Sequence, residues 1–182
     1  MYTKDSKILS VLLTISCLAP LSVLANEQAM TISAGGAVGG GGTAATLLVE
    51  YEHAITDHFA LAGRGGYMTY SYSDSEYEEA GNGPGVQMSA KFYPASTALH
   101  GFYVGGGLGV WQMSGDWTDD KGTSYQSTGD LSTTNAEIHG EVGWRIGKKV
   151  QFSPSLQVGT FLSSDAVLAE FFSINFGVSF LF

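Results

Sequence analysis

The chain has a single cysteine in 182 residues, Cys17, close to its start. No disulfide can form within it, so packing and backbone pairing must hold the fold. Cations are also scarce, with 8 Lys and Arg against 17 Asp and Glu for a formal net charge of −9. Such acidity argues against nucleic acid, whose binders need a basic footprint. There are only 4 prolines to interrupt extended structure. Beyond residue 25, no apolar run approaches the ~20 residues that a membrane helix requires.

The front of the chain has the pattern of an export signal. Lys4 and Lys7 form the charged head, an apolar run follows from Ile8 to Leu24, and Val23-Leu24-Ala25 offers a small-residue cleavage site before Asn26. We therefore expect residues 1–25 to be a cleaved signal peptide and residues 26–182 the mature domain. Removing Lys4, Lys7 and Asp5 takes the net charge from −9 to −10. A second reading of Thr14-Ile15-Ser16-Cys17 as a lipoprotein box, with Cys17 acylated, is weaker because Thr stands where Leu is usual.

What the chain does have is alternation, clearest in its last stretch, FFSINFGVSFLF. Phe172, Ile174, Phe176, Val178, Phe180 and Phe182 share one parity, and Ser173, Asn175, Gly177 and Ser179 the other. A strand sends successive side chains to opposite faces, so this segment has one apolar face and one small or polar face. The same period recurs upstream and predicts strands over 29–38, 43–55, 59–72, 85–93, 101–115, 134–146 and 150–162. Trp111 and Met113 fall on the glycine parity of the fifth strand, which suggests a bulge or an extension above the bilayer. Connections after the second, fourth and sixth strands read as short, and those after the third, fifth and seventh as longer and polar. Outward aromatics Tyr51, Phe59, Phe92, Phe102, Trp144, Phe152, Phe180 and Phe182 would gather at one interface, with Tyr67 and Phe172 at the other.

A final strand with alternate apolar positions Ile174, Phe176, Val178, Phe180 and a terminal Phe182 resembles the C-terminal assembly signal of bacterial outer-membrane β-barrels. The whole mature chain is similar to the small family of the OmpX/Ail and OmpA-transmembrane-domain type. Lys91-Phe92-Tyr93-Pro94 followed by Gly101-Phe102-Tyr103-Val104-Gly105 also looks like the turn-to-strand pattern of the broad outer membrane protein beta-barrel grouping. The resemblance implies an all-β, closed antiparallel transmembrane barrel of about eight strands in an up-and-down meander. It further implies the cell outer membrane as the location, with membrane lipid, lipopolysaccharide and the barrel-assembly machinery as partners.

Opposite the lipid face lie Glu50, Glu52, Arg64, Lys91, Glu137, His139, Glu141 and Arg145. Glu137, His139 and Glu141 share one face and could suggest a metal or acid/base site. Strand residues two apart are ~6.8 Å apart, too far to share a metal without help from other strands. A plug of paired charges across the lumen is the expected arrangement. Acidic residues also crowd the outer loops: Asp74, Glu76, Glu78 and Glu79 in one, Asp116, Asp119, Asp120 and Asp130 in another, with Lys121 the obvious cation. They could bind divalent cations or an extracellular ligand, although Asp116-x-x-Asp119-Asp120-x-Gly122 is not a calcium-loop pattern. They argue against heparin-like polyanions.

The expected function is therefore structural or surface interaction, with no catalysis and no cofactor or metal. A narrow OmpW-like channel for small or apolar solutes is the alternative. A lipid A enzyme is less favoured, since no His stands beside a Ser on an outward strand face.

Overall fold

A computed structural model describes residues 27–74, 76–95, 97–120, 126–162 and 170–182. The presumed leader with Cys17, Lys121, and most of the connection before the final strand lie outside the described residues.

Eight strands form one closed antiparallel barrel in chain order. They are β1 (Gln28–Gly39), β2 (Gly42–Ala54), β3 (Phe59–Ser73), β4 (Tyr77–Phe92), β5 (Gly101–Asp120), β6 (Gln126–Gly147), β7 (Val150–Phe161) and β8 (Glu170–Leu181). Closure is a physical requirement, because unpaired amides in hydrocarbon cost several kcal/mol each. The final strand zips onto the first in unbroken register from Ala29↔Leu181 to Val38↔Phe172. Reciprocal backbone bonds of 3.2 and 3.0 Å between Gln28 and Phe182 finish the seam.

Alternation sorts the wall into two surfaces. Outward positions expose Ile32, Leu47, Leu61, Leu108, Ile138, Val158 and Phe176. A soluble sheet would bury such a belt; hydrocarbon is its natural neighbour. Aromatics edge the belt, with Phe59 and Phe92 paired across a rung at 4.8 Å between ring centroids, and Phe102 and Trp144 likewise at 5.0 Å.

Three departures from the sequence reading are informative. First, β4 begins at Tyr77, β5 runs to Asp120 and β6 starts at Gln126, so segments expected as loops are paired strand. Their outward positions turn polar at Thr69, Asn82, Gln112 and Thr134, so β3 to β6 project beyond the lipid belt as a four-stranded ribbon. Second, no bulge accompanies Trp111 and Met113. The β5–β6 register is continuous, the β4–β5 register is the same on both sides of the skipped Gly83 and Pro84, and both side chains fill the bore at 2% exposure. Pro84 has no N–H to give a ladder, which fits a skipped rung without a slip. Third, the connection between β4 and β5 is not a tight turn. It folds Ala98 and Leu99 into the barrel end, where Leu99 is fully buried at a positive φ of 66°.

The end where β1 begins and β8 finishes is taken as periplasmic, or inner, because the remaining turns there are short. From that end outward the bore is layered. An apolar cap of Tyr93, Tyr103, Leu99 and small alanines comes first. Charged and polar layers follow, and a second apolar layer of Leu48, Met68, Tyr70, Trp111, Met113, Phe161 and Phe171 closes the outer side.

Candidate functional site

The charged layer owes its geometry to glycines. On the inward face of β5, Gly105, Gly107 and Gly109 sit opposite Glu141, His139 and Glu137 of β6, and opposite Lys91, Ser89 and Gln87 of β4. With no side chains on the middle strand, β4 and β6 residues lean over it and meet.

Three carboxylates, Glu50, Glu52 and Glu141, share this layer with three cations, Arg64, Lys91 and Arg145. Lys91 Nζ donates to Glu50 at 2.8 Å and to Glu52 at 2.9 Å, and lies 4.8 Å from the centre of the Tyr103 ring. Arg64 joins Glu50 and, at 2.5 Å, Glu141. Arg145 donates to Glu50 at 2.6 Å and to Glu52, while Tyr93 Oη gives Glu52 a further bond of 2.5 Å. The six formal charges cancel. Burying ions is costly unless each is paired and its remaining donors are satisfied, and this network comes close to that condition.

Arg145 does a second job. Its Nη1 donates to Thr31 of β1 at 2.7 Å, to Ser153 of β7 at 2.9 Å and to Ser179 of β8. One guanidinium thus spans the strands on both sides of the closing seam.

Glu137 and His139 stand apart from this network. Glu137 accepts from Trp111 Nε1 at 2.8 Å and from Gln87, and its third partner is His139 Nδ1 at 2.9 Å. Neither Lys nor Arg pairs with it among the described residues. Beside it is a cavity of about 20 Å³ lined by Gln87, Trp111, Glu137, Gln157, Thr46 and Asn175 under the outer apolar layer. Gln87 Oε1, Gln157 Nε2 and His139 Nε2 are buried without partners. The space suits one water, which needs roughly 10–15 Å³. Glu137, His139 and Glu141 do not converge: Glu141 belongs to the ion pairs, and no group of three potential metal ligands occurs among the described residues.

The eight inward residues divide into a neutral six-membered network and a separate Glu137–His139 pair, a division that parity along a strand does not give. The sequence reading missed Tyr93, Tyr103, Trp111 and Gln87 as members of the bore. The signal available was their parity, shared with Lys91 and Gly109. In the final strand Ile174, Phe176, Val178, Phe180 and Phe182 all point out, each at least 41% exposed.

At the outer end Asp74 caps the β3–β4 hairpin. Its carboxylate accepts the amides of Glu76 and Tyr77 at 2.8 Å each and Tyr72 Oη at 3.0 Å, and these bonds hold its pKa below the usual Asp value. Glu79, 6% exposed, accepts Tyr70 Oη at 2.6 Å and Tyr77 Oη at 2.8 Å.

A closed eight-stranded wall with an apolar belt, an aromatic edge and a bore packed around a neutral six-membered ion network defines a transmembrane β-barrel of the small outer-membrane class. Solved structures agree. The attachment invasion locus protein Ail of Yersinia pestis superposes with a TM-score of 0.58 at 10% identity, covering 86% of this chain and 98% of its own. Ail has also been solved in complex with the heparin analogue sucrose octasulfate. A major outer membrane protein of Thermus thermophilus gives a TM-score of 0.53 at 13% identity, covering 85% of this chain and 99% of its own. No protein-family model and no curated protein matches the sequence. Identities this low speak to the fold, and the fold is that of bacterial outer-membrane barrels.

Proposed function

We propose that the protein is an integral outer-membrane barrel with a structural or surface-interaction role, its lumen plugged and no reaction catalysed. The observation that carries this reading is the neutral network of Glu50, Glu52, Glu141, Arg64, Lys91 and Arg145, which fills the bore from wall to wall. An ion crossing it would have to break several buried charge pairs at once. The apolar layers on either side add barriers of a different kind. In this reading the alternating face from Ile174 to Phe182 serves as the recognition element for the assembly machinery, and the aromatic edge meets outer-membrane lipid and lipopolysaccharide.

The outward-reaching ribbon favours contact with something outside the cell. Ail's complex is with a polyanion mimic. The ribbon here carries Asp74, Glu76, Glu78, Glu79, Asp116 and Asp130, and among its described residues there is no Lys or Arg. A polyanion is therefore a poor ligand for this surface.

Single-channel recording of the refolded protein in planar bilayers tests the plug. The expected result is no resolvable conductance in the wild type. Steady conductance would instead support the narrow-channel alternative, for which the cavity beside Glu137 is the natural starting point.

A further inference from the structure

The inner face of the projecting ribbon has an organisation that barrel closure does not require. One cross-strand row runs Tyr72, Glu79, Trp117, Gly129 over β3, β4, β5 and β6. Gly129 makes room for the indole: a Cβ there would stand 2.7 Å from Trp117 Nε1, so the ring lies down across β6. Tyr77 stacks on Trp117 at 6.2 Å and 19°, and Tyr72 lies 6.0 Å from Tyr77. All three rings are partly exposed. Together they make an aromatic shelf.

Within the same row sits Glu79, more than nine-tenths buried and held, among the described residues, by the hydroxyls of Tyr70 and Tyr77. Both phenols donate to its carboxylate, and neither Lys nor Arg pairs with it among the described residues. Asp74 anchors the edge of the shelf through Tyr72 Oη. We infer that this shelf of Tyr72, Tyr77 and Trp117 around Glu79 is a docking surface for a cationic peptide segment, one bearing Lys or Arg side chains.

The chemistry selects that occupant. Ring faces attract ammonium and guanidinium groups, Trp most strongly, and the carboxylates, which no Lys or Arg pairs with among the described residues of the ribbon, add a field of the right sign. A bare divalent metal is disfavoured, since it needs converging oxygens and no such group exists among the described residues. Four strands at about 4.8 Å spacing make the ribbon roughly 14 Å wide, the reach of about four extended residues. A peptide can therefore lay two alternate side chains on the shelf at once.

The inference rests on the surface-interaction role proposed above. Its test uses the full refolded barrel in uncharged detergent micelles, with a fluorescent oligo-arginine peptide as probe and anisotropy as readout. Saturable binding is expected, weakening with added salt and displaced by oligo-lysine. Trp117→Leu keeps bulk over Gly129 but removes the ring face, and is expected to weaken binding roughly tenfold, as is Glu79→Gln. Glu78→Gln, on the opposite face of the same strand, should change it less than twofold. Heat-modifiable gel migration confirms that each variant is folded.

Absence of saturable binding overturns the inference. So does equal loss in Glu78→Gln and Glu79→Gln with none in Trp117→Leu, which would mean diffuse charge attraction. Preferential binding of a heparin fragment would overturn it as well. Should peptide binding fail while the bilayer stays silent, the docking surface falls and the plugged-barrel reading stands.

Discussion

Gly109 on β5 and Glu137 on β6 face each other across one rung, and a Cβ on Gly109 would come within 2.8 Å of Glu137 Cγ and Oε1. The same Cβ would lie 2.9 Å from Gln87 Cγ on the other neighbouring strand. The bare strand is thus a floor on which side chains from both flanks rest. Gly109→Ala should destabilise the barrel by about 1–3 kcal/mol, the usual effect of an extra methyl group in a filled interior. Gly65→Ala is the control, since nothing lies within 4 Å of the Cβ it would add. Urea unfolding in lipid vesicles, followed by Trp fluorescence, compares the two. Equal stability would show that the bore adjusts around position 109.

The charged layer makes a second, opposite kind of prediction. Lys91 and Arg145 are each shared by Glu50 and Glu52. Lys91→Met leaves the network with one excess buried negative charge and should cost about 3–5 kcal/mol. Adding Glu52→Gln restores neutrality, so the double variant should regain most of that loss. A double-mutant cycle on the same unfolding assay measures the coupling. An additive result would mean that water already screens the two groups from each other.

How much of this was legible beforehand depends on what the wall faces. Where lipid lies outside and polar groups inside, alternation is unambiguous, and it located all eight strands. Above the bilayer the outer face of the ribbon no longer meets lipid and turns polar, so Tyr77 to Gly83 and Gln126 to Thr133 show no apolar period and read as loop. Trp111 and Met113 misled for a related reason. Their place on the glycine parity suggests a bulge or an extension above the bilayer, yet above Glu137 the bore itself turns apolar and takes them in. The division of the acidic groups into paired and unpaired sets depends on which strands adjoin across the lumen. Parity along one strand carries no such information.

Leu99 illustrates what a short connection can hide. Its side chain is fully buried among Tyr93, Tyr103 and alanines at the inner end, and its carbonyl accepts Gln151 Nε2 at 3.0 Å. Left-handed backbone is unfavourable for leucine, so burial must outweigh the strain. Leu99→Ala should cost about 2–4 kcal/mol from lost packing. The ion-pair layer lies beyond this cap, so the variant should remain silent in bilayer recordings. Conductance in Leu99→Ala would reveal that the cap, and not the charge network, seals the pore.

Asp74 gives the outer hairpin a defined dependence on pH. The amides of Glu76 and Tyr77 and the hydroxyl of Tyr72 favour its ionised form, so its folded pKa lies below the ordinary Asp value of 3.8. A depressed folded value means that the contribution is fully present above the unfolded pKa and fades as pH falls through the folded one. The hairpin tip should therefore be indifferent to pH between roughly 5 and 7, above the linkage range of an ordinary carboxylate. Below about pH 4 it should loosen as the carboxylate takes up its proton. Amide hydrogen exchange at Glu76 and Tyr77, read by NMR in micelles, reports this directly against core amides of β8. Asp74→Asn should show fast exchange at those two amides at neutral pH and little further change on acidification. Retention of the wild-type pH profile in Asp74→Asn would assign the transition to another carboxylate of the ribbon.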